Sequence, residues 1–158
     1  MRVPGYRSRR ASGALRKADS SAAQLMALRS LLEIAARAVA LQPEAEEVIR
    51  SCAQRGDVPR QVARRASRIA VDYFRLHGWA MDLTRGADRA SLQFRVAELV
   101  HYHAKMVDMC LRLAFPNVPS AKLEQRRQSV DGLGESARTL REARIALALW
   151  ISEIDANA

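Results

Sequence analysis

The side chains best suited to catalysis or metal binding are three histidines and two cysteines: His77, His101, His103, Cys52 and Cys110. Glu98 and His101 stand three residues apart, a spacing with which di-iron helical bundles direct a carboxylate and an imidazole to one ion. Such a site also needs a second Glu-x-x-His, but the residue three positions before His77 is Phe74. We therefore expect neither a metal site nor a cofactor.

The other pairings among these residues have geometry that does not suit catalysis. On one helix, His101 and His103 would point about 200° apart. Cys110 follows His103 by two turns, about 10 Å, which is too far for a thiolate–imidazole pair. His101 with Lys105 one turn later matches a phosphotransfer site in those two residues alone. The glycines form no phosphate-binding loop of the GxGxxG or GxxxxGK type. We expect no catalytic residues and no enzyme.

The charge of the chain is more informative than these motifs. Its 158 residues include 26 Lys and Arg, of which three are Lys, against 17 Asp and Glu, so the net charge is +9. Arg binds phosphate through two parallel hydrogen bonds, although a GC-rich genome would enrich Arg over Lys as well. The excess itself indicates an acidic partner, of which nucleic acid is the commonest.

The first part of this charge lies in residues 1–19, whose only acid is Asp19. The cations there are Arg2, Arg7, Arg9, Arg10, Arg16 and Lys17. Pro4, Gly5 and Gly13 oppose a helix, so we expect a flexible basic arm that contacts phosphates, ahead of one folded domain over residues 20–158. A solubilising tail, an organelle-targeting segment and a kinase site at Ser12 are the alternatives.

The second cationic group lies on a helix predicted from Pro59 to Leu83. The apolar stripe of this helix, which Gly78 is expected to kink or end, consists of Val62, Ala66, Ile69, Tyr73, Leu76, Ala80 and Leu83. Four arginines of this helix are Arg60, Arg64, Arg65 and Arg68, and the first, second and fourth repeat at intervals of four residues, so that they share a face. Ion pairs of Asp72 with Arg68 and Arg75 would neutralise one end of that face. The sequence predicts that these four arginines contact phosphates.

The elements that must position these residues are helices. Apolar spacing and caps predict helices at Ser21–Leu41, Glu44–Arg55, Pro59–Leu83 and Asp88–Phe115 and a last segment that begins at Ser120. The helix from Asp88 is predicted to be central, because its apolar residues keep one face over four turns. They are Leu92, Val96, Leu99, His103, Met106, Cys110 and Leu113.

Two features of these helices stay open. Gly132 and Gly134 favour a break in the last segment, since each glycine costs about 1 kcal/mol inside a helix. Val100 and Val107 lie off the main stripe of the central helix, so this second apolar side is either buried within the monomer or shared with another copy. The prediction is an all-α single bundle of four to five helices, with no sheet and no membrane span.

These observations favour a non-enzymatic protein that binds the backbone of RNA or DNA, as an accessory or coat-like subunit of a larger complex. The alternative is an oligomeric protein–protein adaptor or scaffold without nucleic-acid contact, with Trp79 and Trp150 as anchors. Two cysteines far apart on apolar helix faces predict buried free thiols, a reducing compartment and therefore a cytoplasmic protein.

Overall fold

The computed structural model describes the backbone of residues 8–157 and the side chains of residues 20–157. The helices are α1 (Ser8–Ala40), α2 (Gln42–Ala53), α3 (Arg60–Leu83), α4 (Leu92–Ala114), α5 (Ala121–Gln128) and α6 (Glu135–Ala156). Five of these span 12 residues or more and α5 spans 8, and residues 8–157 contain no strand. The predicted all-α bundle is confirmed.

Helix α4 lies at the centre of the bundle and contacts each of the other five helices. Its predicted stripe is buried at Val96, His103, Cys110 and Leu113 and partly buried at the other three positions. Val100 and Val107, off that stripe, are fully buried as well. The second apolar side of α4 is therefore covered within the monomer and is not left for a second copy.

Helix α4 begins later than predicted. The expected cap, Asp88, is wrong, because the Ser91 side chain accepts the hydrogen bond from the Phe94 backbone N–H at 3.2 Å. Asp88 instead accepts from the Ala90 N–H at 3.1 Å, within the turn before the helix. Both residues are good caps, and they stand three positions apart.

Helix α1 reaches further toward the N-terminus than the predicted start at Ser21: it is helical from Ser8, where the described residues begin, and it continues through Gly13. Most neighbours of Gly13 are good helix formers. Extending a helix that already exists costs much less than starting one, so a single glycine does not stop it. Gly78, a predicted kink or end, likewise lies inside α3.

The break after α5 is confirmed. Gly132 and Gly134 have φ angles of +78° and +58°, in the region that favours glycine. A Cβ on Gly132 would overlap the Glu46 carboxylate, which accepts a hydrogen bond from the Leu133 N–H at 3.0 Å. Glycine at position 132 lets the backbone reach this carboxylate. The hydrogen bond from the Leu133 N–H then anchors the start of the α6 segment on α2.

Arg127 fixes α5 to the end of α2. Its side chain is buried, and all five of its N–H groups donate. Three of these hydrogen bonds reach the carbonyl oxygens of Cys52, Gln54 and Gly56, and two reach Glu124. Arg127 therefore satisfies carbonyl groups that the C-terminus of α2 would leave without partners.

Candidate nucleic-acid interface

The four arginines predicted to contact phosphates all lie on the outer side of α3. The opposite side of that helix packs into the core through Ala66, Ile69, Tyr73, Leu76 and Ala80, as predicted. Arginine side chains at the intervening positions therefore extend away from the core. Their surroundings divide them into two pairs.

Arg65 and Arg68 form ion pairs with α2. Arg65 makes two hydrogen bonds to the Glu47 carboxylate, at 2.9 and 3.3 Å, and Arg68 pairs with Glu44. The hydrogen bond and the positive charge of Arg65 lower the pKa of Glu47 below its usual value. Asp72 pairs with Arg75 at 3.7 Å. The acids that neutralise this half of the arginine group thus come from α2, which sequence spacing alone did not indicate.

Arg60 and Arg64 are exposed, and no carboxylate among the side chains of residues 20–157 lies within ion-pair distance of either. They stand one turn apart, about 6 Å along the axis. Two guanidinium groups at this spacing can each donate hydrogen bonds to a phosphate oxygen.

Three further cations lie at the same end of the bundle. The loop from α2 to α3 and the loop from α4 to α5 line one cavity of about 520 Å³. Gly56 and Val58 of the first loop and Pro119 of the second form part of its walls. Five exposed cations from distant parts of the sequence lie in these loops or in the first two turns of the helices that follow them. We call them the basic end: Arg55, Arg60, Arg64, Lys122 and Arg126.

The basic end has little charge compensation among the described side chains. None of its five cations forms an ion pair with residues 20–157. Of the acids nearby, Glu124 is bound to Arg127 and Asp108 is bound to Arg112, which leaves Asp57. A concentrated positive potential at this end follows from that arrangement.

The part of the predicted arm that the structure describes, the backbone of residues 8–19, does not join the basic end. Arg2 and Arg7 lie outside the described residues, and Arg9, Arg10, Arg16 and Lys17 belong to the first turns of α1, with side chains outside the description. Helices α1 and α3 run antiparallel, since the Tyr73 hydroxyl donates to Ala38 O at 3.0 Å while Trp79 and Ile34 line one cavity. Lys17 is therefore roughly 35 Å along α1 from its C-terminal end, and the first turns of α3, with Arg60 and Arg64, lie beyond that end.

His103 is buried and hydrogen-bonded, as its place on the core stripe predicts. Its Nδ1 lies 2.7 Å from Leu99 O and its Nε2 lies 3.0 Å from Gln42 Nε2. Leu99 O only accepts and the Gln42 amide nitrogen only donates, so the ring is neutral and carries its proton on Nδ1. Burial lowers the pKa of His103 below its usual value, which also favours the neutral ring. The role of this ring is structural.

His77 and His101 pack together, with ring centroids 4.4 Å apart. Phe74 covers the other edge of the His101 ring, whose Nδ1 is buried without a hydrogen-bond partner in the described structure. Burial lowers the pKa of His77, and the positive charge of a protonated His101 would lower it further. Within residues 20–157, no three side chains of His, Cys, Asp or Glu are placed to bind a metal ion.

Two further predictions concern the cysteines, expected to be buried free thiols, and the tryptophans, expected to anchor a partner. Cys52 and Cys110 are free and buried, as predicted, and burial raises the pKa of Cys110 to about 12. Trp150 packs against the core, whereas Trp79 is 46% exposed. Trp79 therefore remains a candidate anchor for a partner.

No helix in the described part of the chain combines the length and the apolar character needed to cross a bilayer. Comparison of the sequence and structure with models of protein families, with curated proteins and with solved structures gives no match. The function of this chain must therefore be inferred from its own residues.

Proposed function

We propose that this protein is a non-enzymatic nucleic-acid-binding protein, an accessory or coat-like subunit that contacts the phosphate backbone through its basic end. The observation that carries the proposal is the collection of five exposed cations from three separate segments, none in an ion pair with a described carboxylate. Binding releases the counterions of the nucleic acid, so unpaired surface cations gain more than paired ones.

The arrangement favours contact with the backbone rather than with bases. Four of the five cations of the basic end are arginines, whose planar group matches a phosphate. Arg65 and Arg68, also predicted to contact phosphates, would have to exchange carboxylate partners for phosphate ones. The arm of residues 1–19 supplies a second cationic region, and the distance of its helical residues 8–19 from the basic end favours contact with a different stretch of the same nucleic acid.

The test replaces Arg60 and Arg64 by Glu. Labelled single-stranded and duplex oligonucleotides are titrated with protein across a salt series, and binding is followed by fluorescence anisotropy. The Arg60→Glu/Arg64→Glu variant should bind at least about tenfold more weakly for every sequence, and the slope of log affinity against log salt should decrease by about 2.

The matched control is Arg89→Glu/Arg95→Glu, which makes the same change in charge at exposed positions outside the basic end that likewise form no ion pair with residues 20–157. It should weaken binding much less. Equal losses in the two variants, or wild-type affinity that does not respond to salt, would contradict the proposal.

A second candidate is an oligomeric adaptor without nucleic-acid contact. It is favoured by the large apolar side chains at the surface, including Val71, Trp79, Ile145 and Leu149, each at least 46% exposed. Removal of residues 1–19 separates the candidates. Nucleic-acid affinity should fall under the first, whereas binding to a protein partner should persist under the second.

A further inference from the structure

A groove with an apolar floor runs between α1 and α3 on either side of Trp79. Two cavities, of about 340 and 320 Å³, both have Trp79 and Arg37 in their walls. Ile34 and Leu83 line one of them, and Leu41 and Leu76 line the other. An exposed indole between two shallow apolar cavities is typical of the anchor of a protein interface.

The charges of α3 beside this groove alternate in a self-complementary order. Asp72 pairs with Arg75 at 3.7 Å, and about two turns after Arg75, Asp82 pairs at 2.9 Å with Arg85, which stands in the turn just after α3. Trp79 lies between the two pairs. The order along the chain is therefore acid, base, tryptophan, acid, base. When a second copy lies antiparallel to the first, each base of one copy meets an acid of the other.

The register of such a pairing follows from residue numbers. In two antiparallel copies of α3 whose two-fold axis passes between residues 78 and 79, position 75 lies opposite position 82, and position 72 lies opposite position 85. Arg75 then faces Asp82 of the second copy, and Asp72 faces Arg85 of the second copy. Symmetry repeats both contacts, so four opposite charges alternate on each side of the axis.

The residue at the axis fits the same register. Position 79 lies opposite position 78, which is Gly78, and a Cβ built on Gly78 has no atom within 4 Å. The indole of each copy would therefore lie over the glycine of the other, where a larger side chain would keep the helices apart. The remaining charged pair at the groove, Glu33 with Arg37, is internal to each copy, so the contact isolates neither charge.

We propose that this face of α3, together with the groove beside α1, binds a second copy of the same chain in a two-fold homodimer. The pairing goes beyond nucleic-acid binding and does not depend on it. Arg60 lies about 28 Å along α3 from the axis, so the basic end stays outside the interface.

The test uses two single variants with opposite charge changes, Arg75→Asp and Asp82→Arg. Each variant alone places two pairs of like charges across the axis, whereas a mixed dimer of the two variants restores two pairs of opposite charge. Sedimentation velocity should show a dimer for the wild type, monomers for each variant alone at the same concentration, and a dimer again for the equimolar mixture.

Recovery on mixing cannot arise from misfolding, because neither chain changes between the two measurements. A mixture that stays monomeric, or a wild type that stays monomeric up to its solubility limit, would overturn the homodimer. Such a wild type would instead leave the groove to a different protein.

Gly78→Leu provides an independent check. The monomer has open space at this position, so thermal stability should be equal or higher, while the dimer should be lost. Leu149→Ala, an exposed apolar position on α6 that is 61% exposed, should leave the dimer unchanged. A Gly78→Leu protein that dimerises as tightly as the wild type would overturn the proposed register.

Discussion

Arg126 and Arg127 are neighbours of the same residue type with opposite roles. Arg126 is exposed and belongs to the basic end, whereas Arg127 is only 3% exposed and donates five hydrogen bonds. The Glu124 carboxylate beside it raises the pKa of Arg127, so the guanidinium keeps its charge in the buried site. The buried arginine holds in place the loops that carry the exposed ones.

Replacing Arg127 by Lys should therefore be costly although the charge is kept. An ammonium group has three donors and no planar fork, so at least two of the five hydrogen bonds are lost. We expect the free energy of unfolding, measured by urea denaturation, to fall by about 2 kcal/mol, since each lost hydrogen bond to a charged donor costs about 1–3 kcal/mol. Arg126→Lys is the matched control and should change it by less than about 0.5 kcal/mol. If the two substitutions lower the free energy of unfolding equally, Arg127 does not have the structural role assigned to it.

The environment of His103 predicts sensitivity to acid. In a protonated ring, the Nε2–H of His103 would face the Gln42 Nε2, so that two donors would meet without an acceptor. Flipping the Gln42 amide would not help, because its NH₂ group would then face Arg141, which donates to Gln42 Oε1 at 2.8 Å. Burial and the charge of Arg141 lower the pKa of His103 below its usual 6.5.

The sign of the pH effect follows from this shift. Below about pH 6.5 the unfolded chain binds a proton at His103 that the folded chain does not bind, so stability present above that pH is lost as the pH falls. Urea denaturation at about pH 7.5 and about pH 5.5 should show this loss. His103→Gln cannot take up that proton and should lose less stability over the same interval. An equal loss in both proteins would assign the effect to other groups.

At the scale of elements, the turn between α5 and α6 depends on Gly132. A side chain there would meet the Glu46 carboxylate that holds the Leu133 N–H, in addition to the strain of a positive φ. Gly86 has a similar φ of +85° but no neighbour within 4 Å of a Cβ. Comparing an alanine substitution at each of the two glycines therefore separates the energetic cost of backbone strain from that of steric overlap.

Gly132→Ala should reduce the free energy of unfolding by roughly 1 kcal/mol more than Gly86→Ala does. Both variants lose about 1 kcal/mol to the left-handed backbone, and only the first also displaces Glu46. Parallel urea titrations measure the difference. If the two losses are the same, the contact with Glu46 contributes nothing to stability.

The sequence predicted helices best where one apolar face dominates. The predicted face of α3 is the buried one, and the break at the paired glycines is where the structure has it. In α1 the spacing predicts a face of Leu25, Leu28, Leu32, Ala35 and Val39. Leu28 and Ala35 are buried as that face requires, but Leu31, Ile34 and Ala38 are buried too, whereas Leu25, Leu32 and Val39 are only partly buried. Alanines around the whole circumference of α1 leave its apolar face poorly defined in sequence.

The candidate interface was predicted only in part. Arg60 and Arg64 share a helix, so spacing brings them together, whereas Lys122 and Arg126 join them through a contact between two distant loops. Spacing likewise could not reveal that Glu44 and Glu47 pair with the other two arginines of α3. Charge pairing between elements depends on tertiary packing, which no local pattern encodes.

For the whole molecule, the two proposals combine into one geometry. An antiparallel dimer about α3 would carry its two basic ends on opposite sides of the axis, roughly 50 Å apart. In each copy, residues 8–19 form the end of α1 that lies away from the basic end. The dimer would therefore offer cationic surfaces at several separate points, which suits a subunit that lies along a polymer rather than one that grips a single site.

The central position of α4 also bears on how the chain is made. This helix contacts all five others, yet it starts at Leu92, after α1, α2 and α3. During translation those three helices emerge from the ribosome first, with apolar faces that lack their main partner. The nascent chain must pass through a stage in which it is prone to aggregation and to capture by chaperones. That stage ends only when α4 has been synthesised as well, through Ala114.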